Sequence, residues 1–203
     1  ERFGLLPAIL PETAAALASN RSGALRSMLL EGLRGTDARV ANDEPVSPAF
    51  LFALLLWPAY CRALIGLQAG GMNAEEAQRR AADRVTLHQL ATVALPRRFS
   101  LPMQEIWLLQ SRFSSRQRKR VMRLLAHPRF RAAYDFLLLR LTASSEHAED
   151  VAFWREAQTQ SGDELSATLA STASTGSYDG DDEAPVKRRR RRRRPASASP
   201  SAE

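Results

Sequence analysis

The sequence predicts an all-α fold, a multi-helix body domain followed by a disordered C-terminal tail, on three observations. No segment sustains the period-2 alternation of a strand. Apolar residues instead recur at helical spacing, bracketed by residues that start and stop helices. After Gly162 the composition turns to Ser, Thr, Ala and Gly, then to "DGDDEAPVKRRRRRRRPASASPSAE", which has too little apolar surface to fold.

A first pair of helices is predicted around 12–18 and 22–34. The second carries Leu25, Met28, Leu29 and Leu33 on one face, and Gly35 stops it. A loop ends in "EPVSP", where Ser47 as N-cap and Pro48 at the first helical position open an apolar helix over 48–68, closed by Gly70 and Gly71. This is the expected central core helix. Asn73 with Glu76 predicts a capped helix running to about Leu95 and stopped by Pro96. Ser100 is expected to cap the next, whose Met103, Ile106, Trp107 and Phe113 lie on roughly one side.

Ser114 and Gln117 fit a capping box, which predicts a helix over 115–126. His127 and Pro128 then restart the chain as cap and first turn of a helix carrying Phe130, Ala133, Tyr134, Leu137, Leu138 and Leu141 at helical spacing. Phe136 and Leu139 on its far side mark it as nearly surrounded. An acidic helix is expected near 146–160. No internal repeat is visible.

Cys61 is the only cysteine, which excludes an internal disulfide or a cysteine-based zinc site and suits a reducing compartment. The longest apolar run, Ala49 to Cys61, is 13 residues, contains Pro58 and is closed by Arg62; this falls short of the ~20 residues that cross a bilayer. The chain opens on Glu1 without an initiator methionine or a signal-like segment, so it is expected to be a piece of something longer or a processed product.

The net charge of +7 conceals a segmented distribution. Residues 1–96 are balanced, with 9 basic and 9 acidic side chains. Residues 97–140 hold 11 basic against 2 acidic, 141–186 hold 1 against 10, and 187–203 hold 8 against 1. Only Lys119 and Lys187 are lysine, a bias that a G+C-rich genome produces without selection, so the placement of the charge carries more meaning than its chemistry.

On a helical wheel with Val121 at zero, Leu124 and Leu125 fall within about 60°, whereas Lys119, Arg123, Arg116 and Arg120 spread from about 160° to about 260°. Four cations therefore share one outward sector, and Arg97, Arg98, Arg112, Arg129 and Arg131 flank the same helix. Glu105 and Asp135 are the only carboxylates from 97 to 140, too few to neutralise this face locally. Concentrated like charge repels itself unless an anion is bound, and a phosphate backbone is the obvious anion. Trp107, Phe113, Phe130 and Tyr134 have the chemistry to stack on bases, but their spacing makes them core residues first. Lys187 with Arg188, Arg189, Arg190, Arg191, Arg192, Arg193 and Arg194 forms a run of eight cations held extended by mutual repulsion.

Three segments carry a resemblance: "TDARVANDEPVSPAFLFALLLW" (36–57), "LPRRFSLPMQEIWLLQSRFSSRQRKR" (95–120) and "LLAHPRFRAAYDFLLLR" (124–140), followed by the arginine-rich tail. Together they resemble the C-terminal half of the bacterial poly(A) polymerase I family, within the superfamily shared with tRNA CCA-adding enzymes. The resemblance covers about residues 1–160. It implies a helical neck-like RNA-binding region at 1–46, a helical body with a basic RNA-binding surface at 47–162, and a disordered acidic then arginine-rich tail at 163–203.

It also implies the family's activity, addition of AMP from ATP to RNA 3′ ends, which promotes RNA decay in the bacterial cytoplasm. That activity needs a catalytic head with Mg²⁺ and ATP, and the head's Gly-Ser segment and paired aspartates have no counterpart in this chain. The chain alone is therefore expected to be inactive, with no cofactor, metal or catalytic residue of its own. It is expected to act by binding and positioning single-stranded RNA 3′ ends, beside its own head domain and protein partners of the RNA decay machinery, with no membrane role. RNA is favoured for the tail too, as a sequence-independent electrostatic arm. The alternatives are a stand-alone, non-enzymatic basic adaptor and, nearer, part of a CCA-adding enzyme.

Other candidate sites are weaker. Asp179, Asp181 and Asp182 imitate a metal-binding set but lie in a Ser/Thr/Gly-rich segment with no strand to fix them. Glu75 and Glu76 suit the first turn of a helix, and His88, His127 and His147 lack metal-ligand spacing.

Overall fold

The computed structural model describes residues 4–160 and, beyond them, 164, 165, 167 and 169; among these residues every regular element is a helix. The long helices are α3 (Ala24–Ala41), α4 (Pro48–Ala69), α5 (Ala74–Leu90), α6 (Arg97–Leu109) and α8 (Phe130–Ala143). Shorter ones are α1 (Leu5–Ile9), α2 (Pro11–Ser19), α7 (Arg118–Leu125) and α9 (Ala148–Ala157), with single 3₁₀ turns at Gln110–Arg112 and Ser145–His147.

The α4 helix is the axis of the fold, with α2, α3, α5 and α6 packed around it. Ser47 caps it as predicted, its hydroxyl accepting from the Phe50 amide at 3.4 Å, and Pro48 occupies the first turn. At 22 residues the helix exceeds the 13-residue apolar run and is long and apolar enough to cross a membrane. Ala53, Leu54, Leu56, Trp57, Ala59 and Tyr60 are instead buried against neighbouring helices, as in a core helix. Pro58 removes one backbone donor from its middle, and beside that gap Thr13 Oγ1 donates to the Leu55 carbonyl at 2.9 Å.

Two adjoining cores result. The first joins Met28, Leu29, Leu54, Trp57, Tyr60, Met103, Trp107 and Phe136, and so runs across residue 46. Its aromatics interlock: Tyr60 stacks on Trp57 (5.1 Å between ring centroids) and on Trp107 (4.8 Å), while Trp107 Nε1 donates to Ala53 O at 3.0 Å. The second joins Phe113, Val121, Leu124, Phe130, Tyr134 and Leu137 to Val151 and Trp154. Leu165 and Leu169 are buried in it too, beyond the boundary read at residue 162.

Several sequence-based boundaries are corrected by packing. The α3 helix continues through Gly35 to Ala41: Gly35 faces open space and costs the helix only ~1 kcal/mol, while Gly32, a turn earlier, lies directly against Leu54. The α5 helix ends at Leu90 rather than Leu95. Its last turn is held by Gln89, whose amide donates to Ile9 O at 2.9 Å, and Leu95 drops into the core. The α6 helix begins at Arg97, which leaves Ser100 buried inside it and not at its cap. Ser114 and Gln117 form no capping box: the Ser114 hydroxyl donates backwards to Ser111 O at 3.1 Å, and α7 starts only at Arg118.

Candidate nucleic-acid interface

The late start of α7 redistributes the basic residues. Arg116 precedes the helix and turns inward: its guanidinium donates to Phe113 O at 2.7 Å and pairs with Asp150 at 2.6 Å, lying 4.2 Å from the Phe153 ring centroid. The sequence placed Arg116 among four outward cations; it is a clamp between the 113–117 turn and α9. Arg129 pairs with Glu105 at 3.2 Å, and Arg131 pairs with Asp135 at 3.1 Å, one helical turn along α8. Those two carboxylates thus neutralise two of the candidates, and Asp150, from the acidic segment, neutralises a third.

The remaining candidates behave differently. The side chains of Arg112, Lys119, Arg120 and Arg123 are exposed and form no ion pair among the described residues. Arg112, Arg120 and Arg123 line one open cleft of about 610 Å³ between the start of α5 and α7. Gln78, Ser111, Ser114 and Ser115 add neutral hydrogen-bonding groups to the same walls, and Leu108 and Leu124 its apolar floor. Lys119 lies one residue from Arg120 without lining the cleft.

Arg97 and Arg98 stand apart. They begin α6, whereas Arg112 follows its end, about 20 Å away at 1.5 Å rise per residue. Arg98 covers the Phe99 ring at 4.8 Å. Lys187 to Arg194, and Asp179, Asp181 and Asp182, lie outside the described residues.

Sequence reading missed the α5 wall. Asn73 does cap α5, its side chain accepting from the Glu76 amide at 2.9 Å, and the first turn then presents Glu75 and Gln78 to the cleft. Glu75 pairs with Arg79 at the rim, and Glu76 with Arg80 at 2.8 Å, so these acids serve ion pairs as well as the helix dipole. The available signal was the i,i+4 spacing of Glu75 with Arg79. The opposite wall is organised by the Gln110–Arg112 turn. Gln110 is buried and its amide donates to Ile106 O and Ala133 O, both at 3.0 Å, which fixes α6 against α8. Ser111 then donates to Gln78 Oε1 at 3.0 Å, tying this wall to α5.

A triad of guanidiniums with no ion pair among the described residues, set beside hydroxyls and the Gln78 amide, has the chemistry of an anion site: planar donors for phosphate oxygens, with neutral donors between them. Residues 70–195 match the family model described as "Polymerase A arginine-rich C-terminus". The chain belongs to this family. Poly(A) polymerase I of Escherichia coli O6:H1 is 35% identical over 159 residues, which cover 77% of this chain and 34% of that protein. Poly(A) polymerase I of Salmonella typhi is 34% identical over 139 residues (68% and 30%), and that of Haemophilus influenzae 30% over 165 residues (80% and 36%). The chain therefore spans about a third of the length of these bacterial relatives. The cleft of this arginine-rich family member falls inside the matched range, since its lining runs from Ala74 to Leu124.

A second cavity of about 430 Å³ adjoins the cleft, sharing Gln78, Ser111 and Ser114 with it. Arg140 lines it, donating to Gln110 Oε1 at 3.3 Å, contacting His147 Nε2 and lying 5.4 Å from the Trp57 ring centroid. Burial lowers the Arg140 pKa and pushes the Cys61 thiol beside it up to about 12. Burial, and then the Arg140 charge, holds His147 below the usual histidine value of 6.5. The neutral imidazole therefore accepts at Nε2, and the hydrogen-bond pattern assigns its proton to Nδ1, 3.8 Å from Asp150.

Proposed function

We propose that this chain is the RNA-holding part of a bacterial poly(A) polymerase, binding a single-stranded 3′ segment by its phosphates so that a catalytic part can add AMP to the terminal hydroxyl. One observation carries the reading: Arg112, Arg120 and Arg123 line a common cleft without a carboxylate partner among the described residues, while Arg116, Arg129 and Arg131 outside the cleft are paired. Family membership supports it, because the relatives matched are named poly(A) polymerase I. In this reading the chain contributes position and not chemistry, and holding the 3′ end still lowers the entropic part of the barrier. ATP and Mg²⁺ belong to the catalytic part, the site of action is the bacterial cytoplasm, and RNA decay proteins are the natural partners. Lys187 to Arg194 add a non-specific electrostatic arm.

Photocrosslinking tests this directly. A 4-thiouridine-containing oligoribonucleotide should leave adducts in the peptides that carry residues 74–79 and 108–124. Adducts confined to the 187–194 run would refute the cleft as the site.

A further inference from the structure

The cavity behind the cleft has a composition that phosphate does not suit. Besides Arg140 its walls include Glu146 and Asp150, and carboxylates repel a phosphate oxygen. Its accessible apolar lining is Leu64 and exposed Ile65, backed by Trp57, Tyr60 and Trp107, which are buried and stacked on one another. Arg140 forms no ion pair among the described residues, and its two described hydrogen-bonding contacts leave most of its five N–H donors unused. Spare donors, nearby carboxylate acceptors and the aliphatic surface of Leu64 and Ile65 match a neutral group with apolar faces and with donors and acceptors on its edge. The link to the cleft is covalent geometry in the ligand: a base hangs from the same sugar as its phosphate, and the two cavities share the Gln78, Ser111 and Ser114 wall.

We propose that the Arg140 cavity takes one unstacked nucleobase of the RNA strand whose phosphates lie along Arg112, Arg120 and Arg123. This rests on the RNA-binding reading above and adds a base subsite to it. Phosphates stay where unpaired cations meet them, and the base turns over the Ser111 and Ser114 ridge into the cavity. The guanidinium of Arg140 and the carboxylate of Glu146 then offer donor and acceptor to its edge.

Cys61 lines this cavity and is the only thiol in the protein, so it reports occupancy. Because burial keeps the Cys61 thiol largely protonated, the full chain would be alkylated with a large excess of N-ethylmaleimide at alkaline pH over hours, alone, with decaadenylate, with inorganic polyphosphate of matching length, and with AMP at equal concentration. Displacement of a labelled oligoribonucleotide would be followed in parallel. Decaadenylate is expected to slow alkylation at least fivefold, whereas polyphosphate displaces the labelled RNA without protecting Cys61. Equal protection by both polymers, or by neither, overturns the base subsite, and protection by AMP as strong as by the decamer overturns its link to the strand. Ile65→Trp, an exposed position at the mouth, should abolish the protection and leave the salt dependence of RNA binding unchanged; persistent protection in that variant also overturns the proposal. If decaadenylate does not bind the wild-type chain at all, the RNA-binding reading itself fails.

Discussion

Neutralising the cleft is the most informative perturbation, because the structure separates residues that the sequence placed together. Each phosphate neutralised on a single strand contributes about −0.7 to the slope of log affinity against log salt. If Arg112, Arg120 and Arg123 each hold one phosphate, replacing all three with glutamine should flatten the slope by about 2. A fourfold rise in salt would then weaken the wild-type chain about 20-fold more than the triple variant. The run at 187–194 adds its own salt dependence, but it is common to both proteins and cancels in the difference.

The control is Arg116→Gln. Its guanidinium is committed to Phe113 O and Asp150, so this variant should keep the wild-type slope while losing stability. Leaving Asp150, which is largely buried, without its partner costs about 1–3 kcal/mol. Fluorescence anisotropy of a labelled oligoribonucleotide across a salt series measures the slopes, and urea denaturation measures the stability. An unchanged slope in the triple variant, or a slope lost at Arg116→Gln, would refute the assignment of the cleft.

The packing makes further predictions. A Cβ at Gly32 would sit 2.3 Å from Leu54 Cδ2 and 3.2 Å from Leu139 Cδ1, so Gly32→Ala should lower stability by about 1–3 kcal/mol despite its better helix propensity; an unchanged urea midpoint would contradict this. Trp154 fills the second core and donates to Phe113 O at 2.6 Å, so Trp154→Ala should destabilise by about 3–5 kcal/mol and release the Arg116 turn, seen as faster amide exchange over 113–117. His147 is held below 6.5 in the fold, whereas the unfolded chain takes up its proton at the ordinary value. Stability from this group is therefore fully present above about 6.5 and is lost as pH falls from there towards the lowered folded value. The thermal midpoint of His147→Gln should depend less on pH across that window than the wild type, and parallel curves would exclude the effect.

Much of the fold was legible because its signals are local. Ser47, Pro48 and Asn73 act at the helix starts where cap chemistry places them, and Trp107 on α6 and Phe130, Tyr134 and Phe136 on α8 are buried as their period requires. The failures are of two kinds. Ser114 takes a local alternative, donating to Ser111 O three residues back and leaving α7 uncapped, whereas Arg116 reaches Asp150 across 34 residues and Gly32 of α3 meets Leu54 of α4. No window of sequence contains both partners of the two long-range contacts at a diagnostic spacing. The cleft was half legible for the same reason: Arg112, Arg120 and Arg123 stand in an evidently basic segment, but the α5 wall is brought to them by packing of α4 against α5 and α6.

Charge segregation along the chain takes a physical meaning from this arrangement. The acid-poor segment 97–140 is not uniformly short of partners in space. Glu105, Asp135 and Asp150 are each matched with an arginine outside the cleft, and all three pairs lie on or beside the second core, where a fixed geometry is needed. Arg112, Arg120 and Arg123, unmatched among the described residues, are exposed and share the cleft with serines, with Gln78 and with Glu75, whose charge is taken up by Arg79. A surface merely kept wet by arginine would have no reason to sort paired from unpaired side chains in this way, since exposed pairs contribute little to stability wherever they stand. The sorting follows if the cleft must keep its positive field for an external polyanion while the helices that build it are fixed by the other arginines.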